Sequence, residues 1–139
     1  MKHLLLAALL AVSAAQAAPP IAITLKSADG SVTYSLYPVT LMSGLNTRGY
    51  PQASMVLEIR GKDVSTRDRM TVAGCRVGAG QMAFADETGM AKPDAIVWEW
   101  IDGGGRALDQ IAGVICMARD LELQAKQTPP AARKSAGTI

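Results

Sequence analysis

The chain has 139 residues, with 14 Lys and Arg against 12 Asp and Glu, for a formal net charge of +2 at pH 7. That length suits a single domain with one modest core, and the charge balance lacks the basic face that nucleic acid demands. The only histidine, His3, sits at the extreme start, so a chain processed beyond it has no imidazole for a Ser-His-Asp triad or a Cys-His pair, and none for a histidine-based zinc site.

Residues 1–17 read as a cleaved signal peptide. Lys2 and His3 form a positive n-region, and residues 4–12 are an apolar run, too short for a bilayer, which takes about 20 residues. Ala15-Gln16-Ala17 fits the small-x-small rule for signal peptidase, which predicts a mature chain starting Ala18-Pro19-Pro20. No cysteine follows the apolar run to take a lipid, and no later run approaches membrane-spanning length. The expectation is a periplasmic or secreted protein with no transmembrane segment in its mature form. The two cysteines, Cys75 and Cys116, then read as a disulfide, because an even count in an exported chain favours a bridge.

Residues 18–123 are expected to form the domain. Residues 21–38 read as a hairpin: Ile21, Ile23 and Leu25 alternate with polar or small residues, as do Val32, Tyr34 and Leu36, and Asp29-Gly30 supplies the turn. Pro38 is expected to end the pairing. Residues 39–54 lack a clear period and read as a long polar connection, with Arg48 and Tyr50 near its centre, residue types that anchor partner surfaces. Residues 54–61 predict a third strand with Met55, Leu57 and Ile59 on one face, and residues 62–69 a charged turn. Two further strands are expected around Gly78-Ala79-Gly80, with Cys75 sharing a face with Ala73 and Val77. Residues 95–100 predict a strand with Ile96, Trp98 and Trp100 on one side.

Residues 106–123 carry the helical period. Leu108, Ile111, Ala112, Val114, Ile115 and Ala118 fall on one arc, with Asp109, Gln110, Gly113 and Asp120 opposite. Cys116 lies at the edge of that arc, where a bridge to Cys75 pins helix to sheet. Residues 124–139 contain Pro129-Pro130 and no period, and read as a disordered tail. Strands followed by a helix give an α+β domain: an antiparallel sheet of about six short strands, one C-terminal amphipathic helix and one disulfide.

Gly103, Gly104 and Gly105 between the last strand and the helix resemble the outline of a phosphate loop. A P-loop, however, needs Lys and a hydroxyl after its last glycine, and here Arg106 and Ala107 follow. Leu108 also stands where the third glycine of a dinucleotide fingerprint belongs. The glycines serve a sharp strand-to-helix turn, and the weak alternative is a generic anion site at residues 103–106 using the helix N-terminus. Trp98 and Trp100 form either core beneath the helix or a platform for a ligand. The carboxylates Asp86, Glu87 and Asp94, and Glu99, Asp102 and Asp109, are candidates for acid–base work without histidine. No D-x-D-x-D-G run or other metal motif is present, and no cofactor is implied.

Three functional classes follow. The first is a small exported, non-enzymatic module that binds a protein partner in the cell envelope, for instance an inhibitor of an envelope enzyme or an immunity protein against one, through Arg48 and Tyr50. The second is a small-ligand binder for carbohydrate or an anion, at Trp98 and Trp100 or at residues 103–106. The third is an accessory structural subunit of an envelope assembly.

Overall fold

The computed structural model describes residues 21–127. The predicted signal peptide and the segment from residue 128 onward lie outside them. Six strands form one antiparallel sheet in chain order: β1 (Ile23–Lys26), β2 (Thr33–Leu45), β3 (Pro51–Arg60), β4 (Ser65–Ala73), β5 (Ala79–Phe84) and β6 (Trp98–Ile101). A single helix, α1 (Ala107–Gln127), follows. The α+β architecture and the Cys75–Cys116 bridge are as the sequence predicts.

Each strand is a ribbon with two faces, and α1 covers one of them. Ala53, Met55 and Leu57 of β3 point into the core with Leu36, Met70, Val72 and Met82 from neighbouring strands. From the helix, Ile111, Ala112, Ile115 and Cys116 close that core, with Leu108, Val114 and Ala118 of the predicted arc packed beside them. Truncating a fully buried side chain such as Ile115 costs about 2–5 kcal/mol in a core of this kind. The helix starts against β6 and crosses the sheet. By its last turns it reaches β2, where the Ser43 hydroxyl donates to Glu122 Oε1 over 3.4 Å.

The disulfide joins the turn after β4 to the middle of α1, with Cα atoms 5.2 Å apart. It closes a loop of 41 residues, for which the chain-entropy model gives roughly 4 kcal/mol of stabilisation.

Several expectations need correction. Residues 39–54 are not a connection: β2 runs through Pro38 to Leu45, and β3 starts at Pro51. Tyr37 pairs with Val56 and Met42 with Ser54, so residues 38–41 of β2 bulge opposite the single residue Met55. Thr40 pins the bulge. Its hydroxyl donates to Tyr37 O and accepts from Val56 N–H at 2.6 and 2.9 Å. The insertion is odd, so it reverses the inward face: Tyr34 and Leu36 point to the core before it, Leu41 and Ser43 after it. A period of two cannot be read across such a shift.

Residues 65–69 belong to β4, and the turn before them is shorter than predicted. Ile96 precedes β6 and is exposed. Cys75 lies in a turn, outside the strands. Residues 124–127, assigned to the tail, continue the helix. Asp109, expected on the outer face of the helix, is buried.

Candidate functional site

The glycine turn accommodates an anion, and that anion is the chain's own. Asp109 Oδ1 accepts from Ile101 N–H at 3.0 Å and from Arg106 Nη2 at 2.9 Å. Its Oδ2 accepts from Arg106 Nε at 3.0 Å and from Arg106 N–H at 3.3 Å. The last contact is the returning half of a capping box, with Asp at the third helical position and Arg at the cap. Arg106 Nη2 also donates to Glu99 O at 2.7 Å.

Donation from Arg106 foremost, and then from Ile101 N–H, holds the Asp109 carboxyl down at about 2. The same pair raises the Arg106 guanidinium above its ordinary value. A side chain on Gly104 would fall on the Asp109 carboxylate, which is why glycine stands there. The Arg106 side chain and N–H, donors that an external anion at residues 103–106 would use, are thus turned to Asp109 and Glu99 O.

The tryptophans divide. Trp100 is 3% exposed, and its indole N–H donates to Ala73 O at 2.9 Å. It is core and offers no platform. Trp98 is half-buried, edge-on to Phe84 with ring centroids 5.6 Å apart.

The carboxylates also separate. Asp86, Glu87 and Asp94 share a shallow hollow with Asp68, Arg69 and Lys92. Asp86 is committed to its own turn, accepting from the Thr88 hydroxyl, Thr88 N–H and Met90 N–H, and its carboxyl is lowered first by the Thr88 hydroxyl. Asp102 lies elsewhere, beside the disulfide. No group of three or more His, Cys, Asp or Glu side chains that could hold a metal exists among the described residues.

The feature best shaped for recognition lies on the sheet face away from α1. Gln52, Thr71, Ala73, Gln81 and Ala83 alternate with core residues along β3, β4 and β5, so they point to this second face. They floor an open groove of about 710 Å3. One wall is the tip of the β2–β3 hairpin. There Asn46 Oδ1 accepts from Arg48 N–H and from Tyr50 N–H, both at 2.9 Å, which fixes the backbone under both side chains. The other wall is the turn between β4 and β5. Gly74 O accepts from Val77 N–H and Gly78 N–H, and Gly74 has φ +95° with its Cα against β5 backbone, where no side chain fits. Met90, Ala91 and Val97 close the third side.

Arg48 and Tyr50, named from the sequence as candidate partner contacts, both line this groove. Arg76 and Val77 were missed, because Cys75 and Val77 read as alternating strand positions. Gly74 and Gly78, bracketing Cys75, Arg76 and Val77, were the available sign of a turn.

The groove mixes an apolar rim with unopposed charge. Tyr50 is 62% exposed, Val77 83% and Val97 52%. Two arginines line it and no acidic residue does. None of the ion pairs among the described residues involves Arg48 or Arg76. In the floor, Gln52 Oε1 is buried without a hydrogen-bond partner. Comparison with known families, curated proteins and solved structures finds no match.

Proposed function

We propose that this chain is a small, exported, non-enzymatic module that binds a protein partner, acting as an inhibitor of an envelope enzyme or as an immunity protein. The observation that carries this reading is the groove. Its rim exposes Tyr50, Val77 and Val97 beside Arg48 and Arg76, and Tyr and Arg are the side chains that dominate binding hot spots. Exposed apolar groups clustered on one face mark interaction surfaces. The disulfide suits an oxidising compartment. Among the described residues no helix is long and apolar enough to cross a membrane.

The test is photocrosslinking in intact cells, with a photoreactive amino acid at Tyr50, at Val77 or at Lys62. Lys62 is exposed in the turn between β3 and β4 and does not line the groove. Crosslinked protein adducts at the first two positions and none at Lys62 are expected. Adducts at Lys62 alone, or none at all, contradict the reading.

A small-ligand binder is the second reading. It is favoured by Gln52 Oε1, a buried acceptor in the groove floor that a ligand donor would satisfy.

A further inference from the structure

We infer that the groove takes an acidic segment of a protein partner, in which a carboxylate side chain is flanked by apolar ones. This rests on the reading of the chain as a protein-binding module and specifies the chemistry of what it binds.

Charge complementarity on a shaped surface points to this occupant. The chain carries nearly balanced charge overall, yet this groove holds Arg48 and Arg76 and no acid. Several exposed cations elsewhere find partners, Arg60 with Glu58 at 2.7 Å, Lys92 with Asp68 at 3.5 Å and Lys126 with Glu122 at 2.7 Å, and those among the described residues without an ion pair, Lys26 and Lys62, stand away from the groove. Arg48 and Arg76 instead rise from the two opposing turns, each on a backbone fixed by local hydrogen bonds. The second of those turns is tethered to α1 through Cys75. A guanidinium is a planar fork matched to a carboxylate, and pre-set backbones reduce the ordering cost of using it.

The apolar rim sets the remainder of the ligand. Tyr50, Val77 and Val97 stand around the same groove, and covering them requires a segment that extends past the charged contact. A free small carboxylate would leave that rim in water. Phosphate and nucleic acid fit less well, since the rim offers mostly apolar surface and only two cations.

The experiment uses the purified protein with its disulfide intact and fluorescent short peptides in which glutamate alternates with leucine and phenylalanine. Control peptides carry glutamine in place of glutamate. Binding to the acidic peptides that weakens with added salt, and much weaker binding to the glutamine peptides, is expected. Arg48→Ala and Arg76→Ala should each weaken binding about tenfold with an unchanged melting temperature. Lys62→Ala, which removes the same charge outside the groove, should leave it unchanged.

Equal binding of glutamine peptides, or indifference to both arginine substitutions, overturns the inference. So does benzoate binding as tightly as the peptides, which points to a small carboxylate ligand. If crosslinks form at Tyr50 and Val77 while acidic peptides fail, the protein-binding reading stands and the acidic-segment chemistry falls. If neither occurs, both fall.

Discussion

Asp109 shows how far one side chain reaches. It is 3% exposed, and it accepts from Ile101 at the end of β6 and from Arg106 at the helix cap. Its carboxyl is depressed from 3.8 to about 2, as is that of Asp29, which accepts from the side chain and backbone of Ser31 and from the Ser27 hydroxyl. A folded-state value below the unfolded one contributes stability that is complete above the unfolded value and lost as pH falls toward the folded one. Melting temperature should therefore be level above about pH 4 and drop between about pH 4 and pH 2. Asp109→Asn should start lower and show a shallower acid drop. A parallel pH profile in that variant would contradict the role given to Asp109. The sequence showed the glycines and Arg106 but placed Asp109 on the exposed face. Helical periodicity sorts residues by hydropathy and cannot register that a carboxylate is drawn inward by backbone N–H groups and a neighbouring guanidinium.

At the scale of the element, the same pair of side chains finishes a strand. Backbone groups of successive strand residues point alternately to the two sides. Asp102 N–H donates toward β5, to Gly78 O, so Glu99 and Ile101 turn their backbone groups away from the sheet. Arg106 takes Glu99 O, and Asp109 takes Ile101 N–H. The guanidinium and carboxylate thus occupy the hydrogen-bonding edge of β6, where another chain could otherwise pair. Arg106→Ala should free Glu99 O and increase self-association over the parent protein at equal concentration, read by sedimentation velocity. An unchanged sedimentation profile would show that the pair does not guard the edge. The strands were legible where the period was continuous, as in β1, the centre of β3 and β6. They were hidden where tertiary geometry resets the period. Pro38 and the odd bulge around Thr40 disguised the second half of β2 as a connection, and the charged residues 65–69 disguised the start of β4, because that stretch has its register partners in β3 alone and remains largely exposed.

Across the whole molecule, the sheet separates two tasks. One face holds the methionine-rich core beneath α1, and the other presents the groove. The disulfide links them. Cys116 is buried in the helix, and Cys75 opens the turn that carries Arg76 and Val77. The pairing was readable from cysteine count and helical position. Its second consequence, a fixed wall for the groove, was not, because that depends on which turns the meander brings opposite each other. Arg48 and Tyr50 could be picked by residue type alone. Arg76 and Val77 join them only through the register of β3, β4 and β5.

The most direct measurement is amide hydrogen exchange of the protein alone and with the partner recovered by crosslinking. Slowed exchange on binding is expected at residues 46–50 and 74–78, the two walls of the groove, with no change in the turn at residues 27–31 or on the outer helix face around Met117 and Leu121. Protection concentrated on that helix face or along β1, with the two walls unchanged, would contradict that expectation.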